Sequence, residues 1–395
     1  MDKAGKINDW LIGEGRLLGD GIAIVSGYAR HLLAAGVPLS RARIAQRLAN
    51  PLLAAWGVIW TPEETRDYKV PRTVLDTGSW HGSPFQRVLE DRSALRKRLT
   101  RLDPDKDHQT YLEIAEAGGT DFFAMVLEYG DGSAQGCSFV TNDPDGFEQI
   151  HLDTIADTRQ ALAAAMEPVA MRRSSESLLR TYLGNGPANA VIDGTILRGE
   201  HTDLDAVVMF SDLRDFTSKS ERWSEAELLK ALDGYFEIVV QAVFARDGDV
   251  LKFIGDGILS IFPVDDRNDH ECRCLNAIAA ARQVTSSLET LNDKRASEGA
   301  AALAIGTGIN MGPVTYGNIG SPDRLDFTVI APTVNLASRV QDLCKVLGEP
   351  VLATTAVADL AKDQFRSLGA HSVKGVSAPI EVFALHRREA SKAPD

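Results

Sequence analysis

The segment AVVMFSDLRDFT at residues 206–217 and the segment LKFIGDGILSIF at residues 251–262 decide the fold of this 395-residue chain. The first begins as a continuous apolar run, which is typical of a buried strand, and Asp212 stands near its end. The second predicts two apolar strands joined by a turn, in which Asp256 lies between two glycines. Neighbouring strands of one sheet can therefore place these two acidic tips side by side.

Two carboxylates at an apolar sheet edge repel each other unless a cation neutralises them. Their oxygen atoms suit a hard divalent ion, whose coordination shell a bound triphosphate would complete. The pair therefore predicts a metal site. Taken singly, Asp212 would equally serve as a helix cap and Asp256 as an ordinary hairpin turn residue.

The surrounding patterns extend these strands into an α+β domain. Amphipathic helices are predicted at residues 224–248, where Ser224 and Glu227 form a capping box, and at residues 269–296 and 333–347. Strand, helix, hairpin, helix and strand in this order predict a mixed sheet with helices packed on one face, which is the ferredoxin-like plan.

The N-terminal part, residues 1–151, predicts a separate α+β domain. Residues 8–55 and 83–102 have helical periodicity, and a Gly-Asp-Gly turn at residues 130–132 joins two strand-like runs. Helix, hairpin and helix in one segment resemble a GAF or PAS domain in architecture, and such a domain would sense an unknown small-molecule or protein regulator. Three tryptophans here are typical of a buried core and would alternatively line a ligand pocket: Trp56, Trp60 and Trp80.

Residues 152–200 predict a helical connector between the two domains, with Pro168 as a break or kink. Four apolar side chains recur along it at spacings of seven, four and three residues: Ile155, Leu162, Met166 and Val169. They would form either a dimer seam or one side of a packed helix.

Composition and charge exclude several classes of protein. The formal net charge of −13 argues against a nucleic-acid-binding protein, which needs clustered Lys and Arg. No run approaches the roughly 18 apolar residues that cross a bilayer, and the first ten residues lack the apolar core of a secretory signal. Cys272 and Cys274 have no second pair at zinc-site spacing, and four cysteines form no disulfide framework in a chain this long. We therefore expect a cytoplasmic protein without a membrane span.

Four ordered motifs make the C-terminal part resemble a known family. The two segments quoted above are followed by DFTVIAPTVNLASRV at residues 326–340 and SVKGVSAPIEVF at residues 372–383. This order and these spacings resemble the catalytic domain of class III adenylate and guanylate cyclases. The resemblance implies a catalytic domain over residues 201–388, a disordered tail at residues 389–395, and a lyase that makes a cyclic nucleotide for signal transduction.

The resemblance also implies catalysis by two metal ions. Asp212 and Asp256 match the metal-binding aspartates of the family, and the backbone carbonyl of Leu213 matches a further metal contact. Two Mg²⁺ or Mn²⁺ ions per active site would lower the pKa of the ribose 3′-hydroxyl and neutralise the triphosphate with its leaving pyrophosphate. No protein base is then required, so His201 and His371 are not expected to be catalytic.

Base selection is expected to depend on Lys252 and Thr328, which match two purine-reading positions of the family. A lysine donates hydrogen bonds but cannot accept them, so it suits the acceptor ring nitrogen of adenine. The Thr328 hydroxyl would accept a hydrogen bond from the exocyclic amine of adenine. Guanine-specific members carry an acidic residue in place of the lysine, so ATP is the expected substrate.

The remaining substrate contacts are implied by position. Asn335 and Arg339 lie four residues apart and share one helical face. Asn335 would orient the ribose, and Arg339 would stabilise the charge that develops on the α-phosphate. Lys374 would bind the terminal phosphates, and Phe216 and Thr217 lie in the loop that would cradle the phosphates.

A head-to-tail homodimer is implied, because in this family the metal ligands come from one subunit and the base-reading and transition-state residues from the other. This chain contains both sets, so its dimer would have two equivalent sites. Two positions depart from the family pattern. Asp215 stands in place of a usual Gly and adds negative charge to the phosphate loop, and Ala331-Pro332 replaces a common Gly-Asp pair and should stiffen the turn.

Three other functions fit parts of the sequence. A catalytically degenerate, nucleotide-binding regulatory module would keep the fold, but the complete set of metal and transition-state residues argues against it. A pyrimidine cyclase is disfavoured by Lys252 together with Thr328. A diguanylate cyclase or a polymerase palm shares the two-carboxylate sheet, but no GGDEF-type sequence is present and the acidic balance disfavours a template groove.

Overall fold

The computed structural model describes residues 3–264 and 269–386, and the chain divides into two compact units, residues 1–181 and 182–395. Both units contain helices and strands, which confirms the α+β class. The tail expected at residues 389–395 lies outside the described residues.

The N-terminal unit is built on one antiparallel sheet. Its strands are β1 Arg41–Arg47, β2 Leu53–Trp60, β3 Thr65–Pro71, β4 Leu95–Arg98, β5 Asp121–Glu128 and β6 Ala134–Thr141. Its helices are α1 Lys3–Gly13, α2 Gly21–Ala34, α3 Pro84–Asp91, α4 Gln109–Glu116, α5 Gln149–Asp157 and α6 Arg159–Leu183, where α6 ends two residues inside the second unit. The strand order is β3-β2-β1-β6-β5-β4. The predicted hairpin around residues 130–132 is therefore confirmed as β5 and β6.

The prediction of helices throughout residues 8–55 is wrong for its second half, which forms β1 and β2. Along β1, Ala42 and Ile44 are buried in a core with α1 and α2, whereas Arg43 between them, and Arg47 farther along, lie on the opposite face. This alternation with period two is a strand pattern, and the scattered alanines of the segment obscured it. Likewise, the helix predicted over residues 83–102 ends at Asp91, and β4 follows.

The segment expected as a connector belongs in its first part to the N-terminal core. The side chains of Ile155, Leu162, Met166 and Val169 are at most 3% exposed and pack into the same cluster as the apolar residues of α1 and α2. They are one side of a packed helix and not a dimer seam. The helix break lies at Thr158, and α6 continues through Pro168. The three tryptophans were expected either in the core or in a ligand pocket, and both environments occur. Trp56 and Trp60 are core residues, whereas Trp80 lines a cavity.

The C-terminal unit contains a mixed sheet. Its strands are β7 His201–Leu213, β8 Asp249–Ile254, β9 Gly257–Val264, β10 Ile305–Ser321, β11 Arg324–Ile330, β12 Val351–Thr354, β13 Phe365–His371 and β14 Ile380–Leu385. Its helices are α7 Asn185–Ile192, α8 Phe216–Ser220, α9 Glu225–Phe244, α10 His270–Ser297, α11 Pro332–Leu347 and α12 Thr355–Ala358. The order β13-β14-β12-β10-β7-β9-β8, with β11 on β10, contains one parallel pair, β10 with β12. The capping box predicted at the start of α9 is present.

Helices cover both faces of this sheet, so the prediction of one covered face is wrong. Val207 and Met209 of β7 pack with α9 and α10, whereas Ala206 and Val208 pack on the other face, in a cluster that includes Ala337 of α11. A strand that is buried on both faces is continuously apolar, as residues 206–210 are.

Glycines of β10 allow α11 to lie directly on the sheet. A Cβ atom on Gly308 would stand 2.2 Å from the carbonyl oxygen of Ala337 and 2.5 Å from the amide nitrogen of Gln341. On the same face, a Cβ on Gly306 would stand 2.9 Å from Cβ of Cys344, and one on Gly312 would stand 3.0 Å from a Thr333 oxygen. This close approach fixes the height of α11 above the strand.

Replacing Gly308 by alanine should therefore destabilise the protein by about 1–3 kcal/mol or more, because backbone atoms of α11 cannot yield as a side-chain tip can. Thermal unfolding of the full chain would measure this. Gly234→Ala in α9 is the matched control, since its Cβ would meet only the methyl groups of Leu291, the nearer at 3.3 Å. Equal melting temperatures for both variants would contradict the explanation.

Candidate active site

Asp212 and Asp256 meet at one end of the C-terminal sheet. Asp212 is the last residue but one of β7, and Asp256 lies in the tight turn between β8 and β9, where Gly255 has a φ of 65°. Because Ser211 pairs with Ile258, the end of β7 lies beside this turn. The two carboxyl groups are close enough for Asp256 to raise the pKa of Asp212. Their predicted proximity is confirmed, and their role as metal ligands stays a prediction.

The surroundings of this pair disfavour the ionised form of Asp212. Burial, and then the adjacent Asp256 carboxyl, raise the pKa of Asp212 to about 8. Within the described part of the chain, Oδ1 of Asp212 and the hydroxyl group of Tyr235 are both buried without a hydrogen-bond partner. Burial raises the pKa of Tyr235 well above its usual value, and Asp212 and Asp256 raise it further. Tyr235 was not predicted from the sequence, because a tyrosine on an apolar helix face gives no sign of what its hydroxyl group approaches.

The donor set fits a hard divalent cation. The described part of the chain contains no group of three or more His, Cys, Asp or Glu side chains that could hold a metal by themselves. It does offer the two carboxylates, one with an oxygen that has no partner among these residues, and Leu213 follows Asp212 at the end of β7, where its backbone carbonyl stays a predicted ligand. Oxygen-only ligands that are too few to complete a shell suit an ion that also binds substrate oxygens.

Without metal, this site should make the protein less stable as the pH rises. A carboxyl group whose pKa is raised in the folded state contributes stability below its unfolded pKa of about 3.9, and that contribution is lost as the pH rises through the folded value, here about 8. We expect the melting temperature in EDTA to fall from about pH 5 to about pH 9 more steeply for the native chain than for Asp212→Asn. Asp233→Asn, an exposed position on α9, should keep the native slope. Equal slopes for all three proteins would contradict this assignment.

Lys252 reaches its position through an irregularity in β8. Val250 faces the core with α9 and α10, and a regular strand would direct residue 252 to the same side. A register shift between Val250 and Lys252 instead brings Lys252 opposite Leu259, which packs on the other face. There its ammonium group forms an ion pair with Asp326, which lies two residues before Thr328 on β11.

Asn335 and Arg339 lie on the first three turns of α11. Asn335 is exposed, and Nη1 of Arg339 donates to Asp342 at 3.2 Å. The negative charge of Asp342 contributes to the raised pKa of Asp212. Among the described residues, neither Asn335 nor Arg339 hydrogen-bonds the aspartate pair.

The loop after β7 shows how Asp215 is accommodated. Asp215 has a φ of 59°, in the left-handed region that favours glycine and that aspartate tolerates better than most residues. Its carboxylate accepts a hydrogen bond from Nζ of Lys345 at 2.5 Å, and this contact lowers the pKa of Asp215. The negative charge that was expected to face the phosphates is thus paired with a cation of α11.

The remaining predicted residues lie in the loop after β7, in the turn after β13 and at the start of α11. Phe216 begins α8 and packs against the core with α9 and α10, whereas the side chain of Thr217 lies outside the described part of the structure. Lys374 is exposed in the turn after β13. Ala331 precedes α11 in an extended conformation, and Pro332 is its first residue, a position that suits proline.

No helix among the described residues is both long and apolar enough to cross a membrane.

Residues 200–387 match the family described as the adenylate and guanylate cyclase catalytic domain. Adenylate cyclase 1 of Rhizobium meliloti is 34% identical over 187 residues, which are 46% of this chain and 27% of that protein. The adenylate cyclase of Anabaena cylindrica is 34% identical over 154 residues, which are 38% of this chain and 29% of that protein.

This chain thus matches less than a third of the length of either relative. Among solved structures, a bacterial light-regulated adenylyl cyclase is similar with a TM-score of 0.50 at 20% identity, covering 66% of this chain and 85% of that one. At that identity the similarity concerns the fold alone.

Proposed function

Because residues 200–387 belong to the adenylate and guanylate cyclase catalytic domain family, we propose that this chain is an adenylate cyclase, which converts ATP into 3′,5′-cyclic AMP and pyrophosphate. The observation that carries the proposal is the contact between Asp212 and Asp256. Two half-buried carboxyl groups side by side, one with an oxygen that has no partner among the described residues, are stabilised by a divalent cation and serve no evident structural purpose without one.

Asp212, Asp256 and the carbonyl of Leu213 would hold two Mg²⁺ or Mn²⁺ ions. When bound, such ions activate the ribose 3′-hydroxyl for attack on the α-phosphorus and neutralise the departing pyrophosphate. The chain's own task is then to orient the substrate. Lys374 would bind the terminal phosphates, and the backbone around Phe216 and Thr217 would cradle them.

The active form in this proposal is a head-to-tail homodimer. Asn335 would orient the ribose and Arg339 would stabilise charge on the α-phosphate, yet within the described chain neither hydrogen-bonds the aspartate pair. Exposed apolar side chains beside the base-reading residues also favour a partner. Phe253 and Ile254, directly after Lys252, are 50% and 49% exposed, and Ile330, two residues after Thr328, is 56% exposed. An apolar surface of this kind on a catalytic unit is typical of an interface.

ATP is the proposed substrate because of how Lys252 is held. The ion pair with Asp326 orients its ammonium group, which can donate to the unprotonated N1 of adenine but finds a protonated N1 in guanine. The Thr328 hydroxyl group, on the same strand face as Asp326, would accept from the exocyclic amine of adenine.

Competition among ATP, GTP, CTP and UTP, with the products separated by chromatography, tests this function. We expect cyclic AMP as the main product. Lys252→Ala should lower kcat/KM for ATP by about tenfold to a hundredfold, the value of a charge-assisted hydrogen bond, and should reduce the preference over GTP. Lys362→Ala, at an exposed lysine that forms an ion pair with Asp359, is the control. Turnover of none of the four nucleotides would instead favour a catalytically degenerate nucleotide-binding module.

The N-terminal unit would regulate this activity. Its own sheet and its own apolar core, independent of the catalytic core, are those of a domain that can respond to a separate ligand. A regulator that binds this unit is part of the proposal.

A further inference from the structure

The N-terminal sheet has a cavity of about 430 Å³ on the face opposite the core with α1 and α2. Strands β1, β2, β3 and β6 form its floor, and α3 and residues 72–80 form its walls. A volume of this size is in the range that small-molecule sites occupy.

Among the described residues, three arginines line the cavity against a single acidic residue. Arg43 and Arg47 project from β1, Arg72 follows β3, and Glu90 supplies the carboxylate. None of these arginines lies within ion-pair distance of a carboxylate of the described chain. The protein as a whole has a net charge of −13, so a cavity with an excess of arginines that form no ion pairs is unusual in it. Such a cavity is suited to bind an anion.

Arg43 is held in a fixed orientation. Its Nε donates to the hydroxyl group of Tyr68 at 2.6 Å, and its guanidinium carbon lies 4.6 Å from the ring centre of Tyr68 and 4.7 Å from that of Phe85. Two glycines make room for these rings. A Cβ on Gly57 would stand 2.5 Å from the Tyr68 oxygen, and one on Gly136 would stand 2.5 Å from the Phe85 ring. The two terminal nitrogens of Arg43 keep no hydrogen-bond partner among the described residues.

The other two arginines also keep donors for a ligand. Arg72 uses Nε and Nη2 to bind the backbone oxygen of Asn50, which leaves Nη1. The guanidinium group of Arg47 makes no hydrogen bond to the described chain. The positive charge on this face also affects Arg41 on the same strand. Burial, and then Arg43, lower the pKa of Arg41.

Apart from Ser79, Ser83 and Thr110, the rest of the described lining is apolar. Leu48, Val70, Val74 and Leu89 supply aliphatic surface, and Trp80 supplies an aromatic one. An inorganic anion would leave this surface in contact with water, whereas a ligand with an apolar body would cover it. We propose that this cavity binds a small organic anion, with one carboxylate or phosphate group at the arginines and an aromatic or aliphatic body against Trp80 and its neighbours.

Calorimetric titration of the full chain with four naphthalene probes of similar shape tests the proposal. The probes are 2-naphthoate, 1-naphthyl phosphate, the neutral 2-naphthalenemethanol and the cationic 2-naphthylmethylammonium. We expect at least one anion to bind at concentrations up to about 1 mM and the neutral probe to bind about tenfold more weakly or worse. Binding of the carboxylate alone or of the phosphate alone supports the proposal and identifies the anionic group.

Variants separate the cavity from the rest of the surface. Arg43→Gln and Arg47→Gln should each weaken anion binding by about tenfold. Arg30→Gln, an equal charge change on the exposed side of α2, should leave it unchanged. Ala45→Phe should block the cavity without a change of charge, which keeps the test decisive if an arginine variant fails to fold. Binding of no anion, equal binding of the neutral probe, or equal weakening by Arg30→Gln would overturn the proposal.

Discussion

Asp212→Asn is expected to lower kcat by about a thousandfold or more, because several kcal/mol of transition-state charge stabilisation are lost with a metal ligand. The same change replaces a carboxyl group whose ionisation is disfavoured by burial and by Asp256 with a neutral amide, so the metal-free variant should be at least as stable as the native chain at neutral pH. Activity and stability should therefore move in opposite directions, which distinguishes a lost ligand from a damaged fold.

Cyclic AMP production and melting temperature, measured on the same preparations, check this result. Asp359→Asn, at an exposed aspartate far along the sequence in the same unit, should change neither quantity by much. If Asp212→Asn kept more than about a tenth of the native kcat, the aspartate pair would not be the metal site.

Mixing Asp212→Ala chains with Arg339→Ala chains should restore activity that neither variant has alone. Arg339→Ala by itself should lower kcat by about a hundredfold to a thousandfold, as the loss of a preorganised transition-state cation does. In a head-to-tail dimer of the two variants, one site receives both lesions and the other receives none. Random association of equal amounts makes half of the dimers mixed, so about a quarter of the native activity should return.

The control for this experiment combines Asp212→Ala with Asp256→Ala. Each of the two sites then takes its metal-binding half from a chain with one lesion in that half, so mixed dimers should stay inactive. Native mass spectrometry would establish that mixed dimers form. Mixed dimers without recovered activity would show that Arg339 and the aspartates act within one chain, or that Arg339 does not act at all.

Most elements of the C-terminal unit could be predicted from the sequence, because the sequence signals that specify them are local. The capping box of α9 and the glycine-flanked turn at Asp256 each specify their structure within a few residues, and both are present. The position of α11 was mispredicted for a reason that is not local. Its packing face is set by Gly308 on a distant strand, where the absence of a side chain is the determining feature.

Other parts of the site could not have been predicted, because they depend on contacts between distant residues. Nothing near Lys252 indicates that Asp326 will accept its hydrogen bond, and nothing near Tyr235 indicates a neighbouring aspartate pair. In the N-terminal unit, the alternation along β1 was obscured by its alanines and by its outward arginines, since helices contain both residue types. Those same arginines are explained once their face is seen to line a cavity.

The register shift in β8 has an evolutionary consequence. If Lys252 selects the base, then the choice of nucleotide depends on the one extra residue in β8 as much as on the identity of any side chain. Loss or gain of a single codon there would turn the lysine to the opposite face while the flanking pairs with β9 re-form. Nucleotide preference in such a chain can thus change by a deletion that leaves every base-contacting amino acid in place.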